Sequence, residues 1–185
     1  RLHRSAVTGG KRRGLVRRQV PGNRRDILRT IDAMALILKK EGIEFLSAFP
    51  TTSVIEAIAA TGVRPVICRQ ERVGVHIADG FARVTNGRKA SVFAMQYGPG
   101  AENAYPGVAT AFSDAVPMLF LPLGHPGARE SVTPMYSSLK SYDSVTKHIE
   151  RINSPERAGA SLRRAFSAMR MGKPGPAMLE IPADI

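Results

Sequence analysis

Apolar positions change their period along the chain, and the changes divide it into alternating elements. Ile27, Ile31, Met34, Ala35 and Leu38 recur at helical spacing and stop at Lys39-Lys40-Glu41-Gly42, basic residues followed by a helix-ending glycine. Ile43 to Phe49 is a short apolar run that predicts a strand, and Pro50-Thr51-Thr52-Ser53 predicts a turn. Val54, Ile55, Ile58 and Ala59 predict a second helix ending at Gly62, and Val63 to Cys68 a buried second strand. The helical period returns through Gly74, Ile77, Ala78, Phe81, Ala82 and Thr85, and ends at Asn86-Gly87. Ala90 to Gln96 predicts a third strand, Tyr97-Gly98-Pro99-Gly100 a sharp turn, and Ala101 to Phe112 a helix. Val116 to Leu123 predicts a fourth strand, followed by a glycine loop from Gly124 to Gly127 and a polar, irregular stretch through residue 140. Thr146 to Ile149 and Ala177 to Ile181 predict two further strands. Between them runs an amphipathic helix from Ser154 to Met171, capped by Ser154-Pro155-Glu156. Strands alternating with helices predict an α/β fold: three layers, a parallel sheet of five or six strands with helices on both faces.

The candidate chemistry concentrates between Cys68 and Asn86. Glu71 opens the third helix directly after a strand, which places its carboxylate at a strand's carboxyl end, where open α/β sheets keep their ligand crevices. The same residue also reads as a first-turn acid complementing the helix dipole, and the pattern alone leaves both readings open. Gly98-Pro99-Gly100 connects a strand to a helix, and its glycines also permit close approach of backbone to a ligand.

Composition narrows the class. A chain of 185 residues, 43% hydrophobic and 23% charged, suits one globular domain. No apolar run approaches the ~18 residues of a membrane span. The single cysteine, Cys68, excludes a disulfide within the chain and fits either a reducing, cytoplasmic setting or a fold that needs no bridges. No Cys/His spacing suggests zinc. The net charge of +12 is uneven: residues 1–30 hold ten Lys/Arg against one acid, Asp26, leaving +3 for the remainder. Residues 1–26 therefore read as a basic leader outside the domain of residues 27–185. It is open to three readings: a disordered solvated tail, an arginine-rich organellar leader, or a nucleic-acid-binding arm. The last is disfavoured because the leader has no aromatic residue for base stacking.

Four segments in order, RQERVGVHIADGFARVTNG, QYGPGAENAYPGVATAFSDAVPMLFLPLG, SVTKH and KPGPAMLEIPADI, resemble the N-terminal pyrimidine-binding domain of thiamine-diphosphate-dependent enzymes. The resemblance covers about residues 27–185 and lies nearest the acetolactate synthase, benzoylformate decarboxylase and oxalyl-CoA decarboxylase class. It implies that Glu71 is catalytic, hydrogen-bonding a ring nitrogen of the cofactor's aminopyrimidine and sharing the proton that activates the thiazolium carbon toward a 2-oxo acid. It implies that Glu71, Gly98, Pro99 and Gly100 bind the cofactor, and that Asn103, which matches a family asparagine in the same helix, is structural. Homodimers or homotetramers are the implied assemblies.

Departures from the family fall on the substrate side. Thr51-Thr52 stands where members often carry Gly-Gly, Gln96-Tyr97 where they carry Thr/Ser-Ser, and His125 where acetolactate synthases carry glutamine. Thr133-Pro134-Met135 aligns with their Phe-Gln-Glu. Gln96, Tyr97 and His125 are thus candidate substrate-side residues, with His125 either a proton shuttle or a plain loop residue. His76 and His148 read as packing or surface residues. The family's Gly-Asp-Gly motif for diphosphate and Mg²⁺ does not occur, and Ala78-Asp79-Gly80 lies inside the Glu71 helix. No metal ligand is expected here. The remaining half of the site is expected from a pyrophosphate-binding domain, in the same longer chain or in a second subunit. FAD stays open, because its site would lie in a middle domain. The alternatives are a short subunit of a split decarboxylase, and a non-catalytic domain of this fold with a nucleic-acid-binding tail.

Overall fold

The computed structural model describes residues 28–185; Ile27 and the basic leader lie outside the described residues. Within them, helices α1 (Thr30–Lys40), α2 (Thr52–Ala60), α3 (Glu71–Val84), α4 (Pro99–Ser113), α5 (Ser138–Tyr142) and α6 (Ala158–Arg170) interleave with strands β1 (Phe45–Ala48), β2 (Arg64–Ile67), β3 (Val92–Met95), β4 (Leu119–Gly124), β5 (His148–Arg151) and β6 (Ala177–Pro182). All pairings are parallel, in the order β2-β1-β3-β4-β6-β5. The six-stranded parallel sheet expected from the sequence is therefore present.

Alternation along the strands divides the core in two. Val92 and Ala94 of β3 and Leu119 and Leu121 of β4 face α1, α2 and α6, packing with Met34, Leu38, Ile58, Leu162 and Phe166. Phe93, Met95 and Phe120 face the other way, onto Val75 and Ala78 of α3, Ala104 and Val108 of α4, and Tyr142 of α5. Period-two strands that are apolar on both faces can only sit between two helical layers.

Three expectations are corrected. β2 is an edge strand rather than a buried one, with Ile67 half exposed. Its apolar run reflects packing against α2 on one side, and a run of that length carries no signal for position in the sheet. The stretch before residue 140 is not irregular to its end, because α5 begins at Ser138 and buries Tyr142 completely. Finally, α6 starts at Ala158, with Pro155–Arg157 forming a separate 3₁₀ turn and the Ser154 side chain making no cap.

Candidate active site

The order β2-β1-β3 reverses direction between β1 and β3, so the loops leaving these two strands diverge and open a crevice at the carboxyl edge of the sheet. Gln96, after β3, bridges it by donating Nε2–H to the Pro50 carbonyl after β1 at 3.0 Å. Thr51, beside that carbonyl, is buried, and its hydroxyl has no hydrogen-bond partner.

Glu71 is the first residue of α3, and two features bring it to this edge. Ser47 of β1 donates its hydroxyl to the Gly74 carbonyl at 2.7 Å, tying the first turn of α3 to the sheet. Gly74 itself lies so close to the Phe93 ring and the Cys68 sulfur that any side chain would collide with them. Cys68 donates to the Ala48 carbonyl at 3.2 Å, and burial pushes its thiol pKa up. The Glu71 side chain is thereby held in place at 8% exposure.

The turn after β3 supplies the opposite wall. Gly98 has φ +60° and ψ −119°, a region that a side-chain-bearing residue rarely enters, so glycine is required there by conformation. Pro99 follows at the first helical position, where its fixed φ suits the helix and its missing N–H costs nothing. Gly100 sits where space is tight: a β-carbon there would lie 3.0 Å from Glu71 Oε1 and 3.2 Å from Gln96 Cβ. The sequence therefore placed Glu71 and the Gly-Pro-Gly turn together correctly.

Asn103, expected to be structural, contacts Glu71 directly. Its Nδ2–H donates to Glu71 Oε2 at 2.7 Å, across 32 positions of sequence. Because a carboxylate only accepts, this contact also settles which way the amide points. Among the described residues Oε1 accepts no hydrogen bond, so the carboxylate has one oxygen fixed and one available toward Gly100. The sequence signals for this were the match to a family asparagine and its place one helical turn beyond the glycine that the carboxylate touches.

The substrate-side candidates also converge. The Tyr97 and His125 rings pack with centroids 4.7 Å apart at 52°, joining the exits of β3 and β4. His76 is exposed on α3, and His148 lies on β5, 3.2 Å from Glu150, so neither joins this group. Asp79 pairs with Arg83 within α3 at 2.8 Å. Among the described residues no group of three or more His, Cys, Asp or Glu side chains is arranged to hold a metal ion. A cavity of about 430 Å³ lined by Arg83, Asp114 and Arg170 opens at the amino edge of the sheet, away from Glu71. Its arginines are already paired with Asp79, Asp114 and Glu41.

Known proteins are similar to this chain in sequence. The family described as thiamine pyrophosphate enzyme, N-terminal TPP binding domain, matches residues 28–151. The acetolactate synthase large subunit of Haemophilus influenzae is 31% identical over 158 residues, covering 80% of this chain and 26% of that protein. Acetolactate synthase isozyme 3 large subunit of Escherichia coli is 30% identical over 155 residues, 78% of this chain and 26% of its own length. The probable acetolactate synthase large subunit of Methanocaldococcus jannaschii is 29% identical over 164 residues, 83% and 27% respectively. The chain spans about a quarter of the length of the curated relatives it matches. With the matching family spanning most of the described residues, the protein belongs to the thiamine pyrophosphate enzymes, as an N-terminal TPP-binding domain.

Proposed function

We propose that this chain is the pyrimidine-binding part of an enzyme that decarboxylates a 2-oxo acid or joins it to a second carbonyl compound, in the manner of acetolactate synthase. Glu71 is its proton-exchanging carboxylate. One observation carries the proposal: a buried carboxylate at the sheet's switch point, with Oε2 engaged by Asn103 and Oε1 left facing a glycine turn. That arrangement fits a flat heterocycle carrying a basic nitrogen. Glu71 would hold it through Oε1, and Gly98, Pro99 and Gly100 through close backbone approach.

Thiamine diphosphate, when bound, supplies the carbanion stabilisation that 2-oxo acid chemistry needs. The chain's own part is to move one proton. Asn103 fills a lone pair of Oε2 and favours that oxygen unprotonated, so the mobile proton resides on Oε1. Gly100, which lies beside Oε1, brings no side chain that would compete for it. A carboxylate is suited to this because it accepts when ionised and donates when protonated. Gln96, Tyr97 and His125 form the wall on the substrate side. In this proposal the diphosphate and Mg²⁺ are held by a second domain, of the same longer chain or of a partner in a dimer. The setting is cytoplasmic, consistent with one unbridged, buried cysteine. Among the described residues no helix is long and apolar enough to cross a membrane.

The test is carbon dioxide release by the complete gene product from a panel of 2-oxo acids, with and without thiamine diphosphate and Mg²⁺. Release that requires both is expected. Absence of thiamine-diphosphate-dependent turnover with every 2-oxo acid would overturn the proposal.

A further inference from the structure

Away from Glu71, the most elaborate polar cluster lies where β4, β5 and β6 end. Arg151 and Glu180 are both more than nine-tenths buried, and Arg151 Nη1 meets Glu180 Oε1 at 2.5 Å. The other Glu180 oxygen accepts from the Ser138 hydroxyl. Arg151 Nη2 donates to the His125 carbonyl at 2.8 Å, and its Nε lies 3.4 Å from Glu130 Oε2. One guanidinium thus ties three segments: β6, the exit of β4, and the loop beyond it. Gly124 makes the junction tighter, because a β-carbon there would fall 2.7 Å from Glu180 Oε1. Its carbonyl also accepts from Ala183 N–H at 3.1 Å.

Stability alone does not account for this pair. A buried ion pair pays desolvation on both partners, and well-packed apolar residues in its place are often as stable or more so. What it does provide is geometry. The planar fork of arginine fixes directions that a lysine cannot, and here one of those directions ends on the backbone of His125. The His125 ring lies against Tyr97, two residues before Pro99.

We infer that Arg151, oriented by Glu180, is a positioning residue that holds His125 against Tyr97 and thereby sets the shape of the substrate-side wall. This rests on the proposed function for its meaning, but the clamp itself is independent of it. Arg151 touches neither Glu71 nor the Gly98–Gly100 turn through any hydrogen bond or ion pair among the described residues. It therefore acts on substrate fit and not on the Glu71 proton.

The test uses the full-length protein carrying Arg151→Met with Glu180→Gln, which removes both charges and strands neither. Carbethoxylation of His125, followed by peptide mass spectrometry in cofactor-free protein, is expected to proceed several-fold faster, with His76 unchanged as internal control. In loaded enzyme, KM for the 2-oxo acid is expected to rise about ten-fold, while hydrogen exchange at the cofactor's reactive carbon stays within about two-fold. Arg151→Lys, which keeps a charge on Glu180 but loses the fork, should move the same readouts in the same direction; it also serves if the double variant does not fold. Unchanged His125 reactivity overturns the clamp. Faster modification with unchanged KM overturns its role in the wall, as does exchange that falls as far as turnover. If wild-type enzyme shows no thiamine-dependent turnover, it is the functional proposal that fails, and the modification rate still reports on the clamp.

Discussion

A single amide decides how the Glu71 carboxylate is presented. With Asn103 removed, Oε2 loses its donor and the carboxylate gains freedom to turn away from Gly100. Asn103→Ala in the complete protein is therefore expected to slow proton exchange at the cofactor by about ten-fold, one hydrogen bond to a charged group being worth about 1.5–3 kcal/mol at most. Asn103→Asp should slow it further, since it sets a second carboxylate against the first. Equal, undiminished exchange in both would show the contact to be incidental. The position of Glu71 at the sheet's carboxyl edge was legible in the sequence because it directly follows a strand. Asn103 was legible only as a residue type, because the contact depends on how two helices cross, which no local pattern encodes.

Glu150 gives a residue-scale prediction away from the site. Arg164, which donates two hydrogen bonds to it, and then Ser161 hold its carboxyl pKa down to about 2, against a partial opposing effect of burial. A depressed folded-state pKa contributes stability that is fully present above the unfolded value of 4.5 and lost as pH falls from there toward about 2. Arg164 is 44% exposed, so solvent screening reduces the contribution to on the order of 1 kcal/mol. Thermal unfolding between pH 5 and 2 should be less steeply pH-dependent in Glu150→Gln. An unchanged slope would rule the contribution out.

At the scale of elements, α3 owes its close contacts with α4 and with the sheet to missing side chains. A β-carbon on Gly107 would overlap the Val75 side chain in the core, and one on Gly74 would overlap Phe93. Gly107→Ala is expected to destabilise the fold by about 1–3 kcal/mol through overpacking. Gly80, also within α3, has nothing near its missing β-carbon, so Gly80→Ala should be neutral or stabilising by up to about 1 kcal/mol. Chemical denaturation of the two variants checks both, and similar midpoints would contradict the packing. Long elements with a clear period, such as α1, α3 and α6, could be read from sequence. The five residues of α5 could not, because one turn has no period to detect. Nor could the rim position of β2, since an edge strand packed on one face can be as apolar as a central one.

Across the whole molecule, alternating strands and helices fixed the class of fold in advance. The order β2-β1-β3-β4-β6-β5 was not legible, because it is set by which crossovers bury the most apolar surface and by no local signal. Around the candidate site Ile67, Val73 and Tyr97 are each 46–51% exposed, an apolar rim suited to being covered. Residues 1–185 alone are expected to self-associate through this rim and to bind thiamine diphosphate weakly, because only the pyrimidine side of a site is proposed here. Sedimentation and calorimetry test the two parts. Tight, Mg²⁺-dependent binding by a monomer would contradict both.

The most direct measurement is hydrogen–deuterium exchange at the thiazolium carbon in the complete protein carrying Glu71→Gln. The amide is close in shape to the carboxylate, so folding and cofactor docking should persist, but it cannot carry the proton. Exchange is expected to slow by about 10²–10⁴, with no recovery at saturating thiamine diphosphate. Exchange equal to that of the wild type would show Glu71 to be only the acid that begins a helix.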